Sequence, residues 1–132
     1  MSSFDAETLA RQLAQLGRDL DAEVLVLGEL EEAAADAEGE YRHRDALYED
    51  TLATCLLKSL QGSAEARKAD ARLQCIGPRA EMQQAYKDWG KAKAKVRTQQ
   101  ANLSAIHKRI EVGRSLLSRE KALLSLGGIG EV

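Results

Sequence analysis

A seven-residue repeat constrains this chain more than any other feature of its sequence. Between Met82 and Leu124, alternating steps of three and four residues meet mostly apolar side chains. The positions on the repeat, which we call the seam, are Met82, Ala85, Trp89, Ala92, Val96, Gln99, Leu103, Ile106, Ile110, Gly113, Leu117, Glu120 and Leu124. Such a repeat predicts a helix that buries one narrow stripe against other helices.

The helix that carries the seam is too long to be enclosed by the remainder of the chain. At about 1.5 Å per residue it extends over roughly 63 Å, while the whole chain has 132 residues. Its partners must be an N-terminal helix, other copies of the chain, or both. We expect the contacts between helices or copies to involve Trp89, Val96, Leu103, Ile106, Ile110, Leu117 and Leu124.

The first half of the chain also has the periodicity of an amphipathic helix. Apolar residues recur at helical spacing at Leu9, Leu13, Leu16, Leu20, Val24, Leu27 and Leu30, and this stripe can pack on the seam. One proline, with 4% aromatic and 30% charged residues, is typical of long helices rather than of a compact enzyme core. We therefore predict an all-α fold of long amphipathic, coiled-coil helices arranged as a helical hairpin.

Three glycines in this first helix are regularly spaced. Gly17, Gly28 and Gly39 fall eleven residues apart, which places them near one face of an unbroken helix. Each costs about 1 kcal/mol relative to alanine in a helix interior. We expect the close approach of another helix to compensate for that cost.

Breaks in the pattern divide the chain into predicted segments within one domain. These are an acidic helical segment at 1–61, a basic helical segment at 62–126 with a long heptad helix over 79–126, and a flexible tail at 127–132. Gly62 is expected to close the first helix in the left-handed conformation, and Ser63 to cap the next. Gly77-Pro78 is expected to interrupt the basic segment, since proline is well tolerated at the start of a new helix.

Charge is divided unequally between the two halves of the chain. Residues 1–57 contain 14 acidic and 4 basic residues, a net charge of −10, whereas residues 58–132 contain 7 acidic and 15 basic residues, a net charge of +8. One explanation is internal, because an acidic and a basic helix can pair through positions that flank the seam. The other is external, because the basic half can face a polyanion.

No set of residues indicates catalysis, a metal site or a cofactor. The two histidines, His43 and His107, are not spaced with cysteines or carboxylates as metal ligands would be. Cys55 and Cys75 lie among apolar neighbours and are interpreted as free thiols in a reducing compartment. Because no signal peptide, lipidation motif or long apolar run occurs, we expect a cytoplasmic protein that is not bound to a membrane. Because no catalytic set of residues is found, we expect that it is not an enzyme.

Two basic stretches are candidate binding surfaces for nucleic acid. The first, which we call the turn-side cations, consists of Lys58, Arg67, Lys68 and Arg72. The second, which we call the lysine stretch, has cations beside Tyr86 and Trp89 and consists of Lys87, Lys91, Lys93, Lys95 and Arg97. Cations that follow phosphates, next to aromatic faces on which bases stack, are typical of single-strand binding. Trp89 also lies on the seam, so a packing role for it stays open.

Two runs of sequence carry a resemblance to a known family. They are QGSAEARKADARLQC at 61–75 and EMQQAYKDWGKAKAKVRTQQANLSAIHKRIEVGRSLLSREK at 81–121. In this layout a helix ends at a glycine-serine turn, an alanine-rich basic helix ends near a cysteine, and a long helix closes with Arg114-Ser115. Over about residues 41–121 the layout resembles that of the UvsY-like recombination mediators encoded by bacteriophages and prophages. The chain departs from it at Gly77-Pro78, where a continuous helix is expected.

The resemblance implies a function in DNA recombination and repair. Members of the family are small, helical and ring-forming, so it implies a homo-oligomeric ring in the host-cell cytoplasm. They help to load a RecA-like recombinase onto single-stranded DNA that is covered by single-strand-binding protein. Carried over to this sequence, the likeness assigns DNA-backbone contacts to the turn-side cations. The competing hypothesis is a structural or adaptor coiled-coil protein without a nucleic-acid role, in which the charges serve only helix pairing.

Overall fold

The computed structural model describes the backbone of residues 3–130 and the side chains of residues 6–127. Within this part of the chain there are three helices, α1 (Ser3–Lys58), α2 (Ala64–Gln74) and α3 (Ile76–Gly130), and no strand. The predicted all-α class is therefore confirmed. Two residues of the predicted tail, 131 and 132, lie outside the described residues.

The chain forms two compact units, and the predicted division into segments within one domain stays a prediction. We call residues 1–29 with 97–132 the terminal unit, and residues Leu30–Val96 the turn unit. Each unit combines part of α1 with part of α3. Within the terminal unit the two helices run antiparallel, since Leu13 lies beside Gly113 while Glu23 lies beside Gln99.

The connection between α1 and α2 confirms the predicted cap but not the predicted glycine conformation. Ser63 is the N-cap of α2, with extended backbone angles, and its hydroxyl oxygen accepts a hydrogen bond from the Ala66 N–H at 3.0 Å. Gly62 does not adopt a left-handed conformation, because no glycine in the described chain has a positive φ. The physical reason is that α1 ends at Lys58, so Gly62 does not follow the last helical residue directly.

The boundary between α2 and α3 differs from the predicted one because of Pro78. A proline ring clashes with the carbonyl group four residues earlier, and that residue is Gln74, the last residue of α2. The chain therefore breaks at Cys75, and Gly77-Pro78 lies in the first turn of α3, where the missing N–H needs no partner. At its other end α3 continues beyond the predicted limit of Leu126 to Gly130.

The predicted seam is the face of α3 that packs in each unit. In the terminal unit Leu103, Ile106 and Ile110 are buried, and Gly113 and Leu117 are half-buried. In the turn unit Ala85 is buried, and Met82, Trp89, Ala92 and Val96 are half-buried. Leu124 is 40% exposed, so its seam role stays a prediction for contacts between copies.

The opposing face of α1 follows the same alternation of three and four residues. Leu9, Leu13, Leu16, Leu20 and Leu27 are half-buried in the terminal unit, as predicted. Val24, however, is 50% exposed. Its place on the packed face is taken by Glu23, which is half-buried, because three residues after Leu20 the repeat reaches Glu23.

Two polar side chains are buried on the seam of the terminal unit. Gln99 is 9% exposed and its amide nitrogen donates hydrogen bonds to both the backbone oxygen, at 2.9 Å, and the carboxylate of Glu23. A buried polar pair of this kind favours one helix register over its alternatives. Glu120 is 2% exposed, and its Oε2 atom has no hydrogen-bond partner among the described residues.

Close approach of the helices occurs at Gly113 and not at the three glycines of α1. A Cβ atom placed on Gly113 would lie 2.6 Å from Leu13 Cδ2 and 3.2 Å from Leu13 Cγ. At Gly17, Gly28 and Gly39 no described atom outside the local helix lies within 4 Å of such a Cβ atom. The expectation of close approach at those glycines is therefore wrong, and Gly113 is a residue that lets α1 approach the seam.

This difference predicts unequal effects of two glycine substitutions on stability. Gly28→Ala should raise the free energy of unfolding by about 1 kcal/mol, because alanine is the better helix former and meets no neighbour. Gly113→Ala should be less stable than Gly28→Ala by about 1 kcal/mol or more, because its methyl group overpacks Leu13. Urea denaturation followed by circular dichroism measures both. Equal gains would contradict the close contact, and a Leu13→Ala background should abolish the difference.

Candidate nucleic-acid interface

The turn-side cations lie at the end of α1 and along α2, all in the turn unit. Lys58 is the last residue of α1, and Arg67, Lys68 and Arg72 lie on α2. All four side chains are exposed. Because Lys68 and Arg72 are four residues apart on a helix, they lie on the same face.

A side-chain contact fixes the helix that presents these cations. The Ser59 hydroxyl donates a hydrogen bond to the Asp70 carboxylate at 2.8 Å, which joins the segment after α1 to the middle of α2. On α2 itself Ala71 is fully buried, and Arg67 and Lys68 precede it by four and three residues, on neighbouring positions of the helix. The α2 cations are therefore exposed side chains on a short helix that is held in place by this hydrogen bond and by the burial of Ala71.

The lysine stretch is distributed over several faces of α3 and does not form one patch. Residues two apart on a helix point in different directions, so Lys91 and Lys95 lie on one side of the seam and Lys93 on the other. Lys91 and Lys95 line a groove of about 280 Å³ between α1 and α3, which also contains the Asp88 carboxylate. Arg97 belongs to the terminal unit, where its side chain is exposed.

Aromatic rings cluster around the start of the lysine stretch in the turn unit. Tyr41 of α1 stacks on Trp89, with ring centroids 5.5 Å apart, and meets Tyr86 edge to face at 5.2 Å. The Lys93 ammonium lies 3.8 Å from the centroid of the Trp89 ring. Trp89 is half-buried, so packing occupies part of its surface, whereas Tyr86 is 55% exposed.

Ion pairs in the described chain involve none of the predicted DNA-binding residues. Arg42 pairs with Glu38 at 2.7 Å, and Arg44 pairs with Glu40 at 2.7 Å and with Glu81 at 2.9 Å. The hydrogen bond to Glu40, with the charges of Glu40 and Glu81, raises the pKa of Arg44. All three pairs therefore use arginines of α1 and leave the turn-side cations and the lysine stretch free of carboxylate partners.

The two cysteines meet where α1 approaches the boundary between α2 and α3. Cys75 is fully buried and Cys55 is half-buried. They are free thiols, with the Cys75 Sγ donating a weak hydrogen bond to the Cys55 Sγ at 3.9 Å. Sequence spacing alone could not show that these residues, twenty positions apart, are neighbours.

Other classes of site find little support in the described residues. No three His, Cys, Asp or Glu side chains come together there as a metal-ligand set would, and His43 and His107 are both exposed. None of the helices, as far as their residues are described, is both long and apolar enough to cross a membrane. Comparison with protein families, with characterised proteins and with solved structures gave no match to this chain.

Burial predicts that the two thiols react at different rates. Desolvation, followed by the hydrogen bond and charge of Cys55, raises the pKa of Cys75, so Cys75 has less of the reactive thiolate at a given pH. N-ethylmaleimide should therefore label Cys55 well before Cys75 in the folded protein. Peptide mass spectrometry of timed samples measures both rates. Urea-unfolded protein is the control, in which the rates should converge; equal rates in the folded protein would contradict the burial of Cys75.

Proposed function

We propose that this protein is a non-enzymatic recombination mediator that binds single-stranded DNA. One observation carries the proposal: the predicted DNA-binding cations are exposed and, within the described chain, have no ion-pair partner. The resemblance to the UvsY-like mediators supplies the biological role. The partners proposed for this protein are single-stranded DNA, single-strand-binding protein, a RecA-like recombinase and further copies of the chain.

The pattern of ion pairs argues against an internal use of the charge division. If the acidic α1 and the basic α3 paired through their charges, carboxylates of α1 would meet lysines and arginines of α3. The ion pair that joins these helices has the opposite arrangement, with Arg44 on α1 and Glu81 on α3. The excess charges of both helices are therefore left for other molecules, which favours the external explanation.

Repeated weak contacts give the mechanism its physical basis. Each subunit offers a few exposed cations to phosphates, and each contact displaces condensed counterions. A homo-oligomeric ring presents several copies of these contacts to one strand, so that the combined affinity exceeds that of any copy. DNA drawn along the ring is bent or extended, which weakens the hold of single-strand-binding protein and exposes the strand to the recombinase.

The turn-side cations are the principal contacts in this proposal. Three of them lie on α2, and Lys58 lies at the end of α1 shortly before it. The cations of the lysine stretch, by contrast, face different directions around α3. Lys93 can contact a phosphate, and Tyr86, which is 55% exposed, can stack on a base beside the backbone. Lys87, Lys91, Lys95 and Arg97 extend the positive field along the helix.

The proposal predicts the behaviour of a triple substitution on α2. Arg67→Ala with Lys68→Ala and Arg72→Ala should weaken binding of a single-stranded oligonucleotide. Since each lost phosphate contact on a single strand lowers the salt slope by about 0.7, the log–log dependence of affinity on salt should flatten by about 2. Fluorescence anisotropy of a labelled oligonucleotide across a salt series measures both quantities.

A charge-matched control separates the site from net charge. Arg11→Ala with Arg18→Ala and Arg42→Ala removes the same number of positive charges from exposed positions of α1. This variant should keep most of the affinity and the slope. Equal losses in both variants would contradict a site on α2, and unchanged binding by the α2 variant would overturn it.

A structural or adaptor coiled-coil protein is the second candidate. Exposed apolar residues on α3, such as Val112 at 60% and Leu116 at 42%, favour a role in helix pairing. Such a protein would not bind oligonucleotides even at low salt, whereas a mediator would bind them tightly and release them steeply as salt rises. The wild-type salt series therefore distinguishes the two candidates.

A further inference from the structure

The terminal unit has an apolar groove that no part of the described chain fills. The groove has a volume of about 590 Å³ and lies between α1 and α3, with Leu13 and Leu16 on one wall and Val112 and Leu116 on the other. Single exposed apolar side chains are ordinary, but a contiguous set beside an open groove is typical of a surface that another molecule covers.

A second stripe of α3 lies beside the seam, and its first three members line this groove. Its members follow the same alternation of three and four residues and are all exposed: Arg109, Val112, Leu116, Arg119, Leu123 and Leu126. A helix in a two-stranded coiled coil needs only the seam, whereas a helix in a larger bundle also buries a flanking column. The breadth of this apolar surface indicates that α3 packs in a bundle of more than two helices.

The charges of the terminal unit indicate what the additional helices are. Residues 3–29 contain six acidic and two basic residues, a net charge of −4, and residues 97–130 contain six basic and two acidic residues, a net charge of +4. Among residues 6–29 and 97–127, whose side chains the structure describes, no ion pair joins the two segments. A second copy of the same unit offers both the missing apolar surface and the opposite charge for each helix.

We propose that two copies of the chain associate groove to groove through their terminal units, forming a bundle of four helices. The two-fold axis runs parallel to the helices, so that α1 of each copy lies against α3 of the other. This arrangement places acidic helices beside basic ones at every contact between copies, whereas the alternative axis would pair like with like. The inference rests on the proposed function, because it names one contact of the homo-oligomer; a two-fold contact closes on itself, so the ring needs a second contact between such pairs.

One pair of residues reports this arrangement directly. Asp19 of α1 and Arg109 of α3 line opposite sides of the same groove but form no ion pair within the chain. Rotation about an axis parallel to the helices brings Asp19 of each copy to Arg109 of the other. The interface therefore contains this contact twice.

Charge reversal with mixing tests the proposal. Asp19→Arg and Arg109→Asp each convert two attractive contacts into repulsive ones, so each variant alone should associate at least about tenfold more weakly than the wild type. In an equimolar mixture both contacts become attractive again, and association should recover. Sedimentation velocity measures the assemblies, and circular dichroism verifies that each variant is helical. Asp21→Arg and Arg114→Asp, exposed residues that do not line the groove, are the controls and should assemble normally.

Several results would overturn the inference. They are a monomeric wild-type protein, unchanged assembly of both variants, or helical variants whose mixture does not recover. If either variant loses its helicity, Val112→Ser with Leu116→Ser replaces it, and unchanged assembly of that variant would also overturn the inference. Oligonucleotide anisotropy on the same samples keeps the two proposals apart: assembly without DNA binding contradicts only the proposed function, and DNA binding with normal assembly of the groove variants contradicts only the groove interface.

Discussion

The packing of one stripe of α3 on one stripe of α1 is the constraint from which the other features follow. In each unit the burial of apolar side chains along this line supplies the main stabilisation, since apolar area removed from water contributes about 25 cal/mol per Å². The close fit of Leu13 over Gly113 and the polar pair of Glu23 with Gln99 fix the register in the terminal unit. Because only a stripe is buried, most of both helices stays in water and is free to carry charge.

The seam of α3 could be predicted because large apolar side chains repeated without a slip. Every seam position from Met82 to Glu120 is buried or half-buried. This includes Gln99 and Glu120, which the repeat placed on the packed face although both side chains are polar. The packed face of α1 was harder to predict. In the turn unit it is formed partly by Ala34, Ala37 and Arg44, whose side chains give no hydrophobic signal.

Other features depend on information that a linear pattern does not contain. The end of α2 is an exception, because the clash of the Pro78 ring with the Gln74 carbonyl group could have been predicted from their spacing in the sequence. The neighbouring thiols and the approach at Gly113 depend on which residues of another helix lie opposite. For the candidate site, the sequence identified cations that the structure leaves exposed and unpaired, but the grouping of the lysine stretch as one patch fails, because its residues alternate between faces of α3.

The ion pair between Arg44 and Glu81 uses a basic residue of the acidic helix and an acidic residue of the basic helix. The fold within the turn unit therefore does not depend on attraction between the excess charges of the two helices. Among the described residues, the acidic and basic helices are held by hydrophobic packing, by the hydrogen bonds from Gln99 to Glu23 and by one exposed pair of minority charges, so dissolved ions have little to weaken within a unit. Those ions do compete for the unpaired lysines and arginines. The chain can therefore remain folded over a wide range of ionic strength, so that under the proposed function the ionic medium regulates what the chain binds and not whether it is folded.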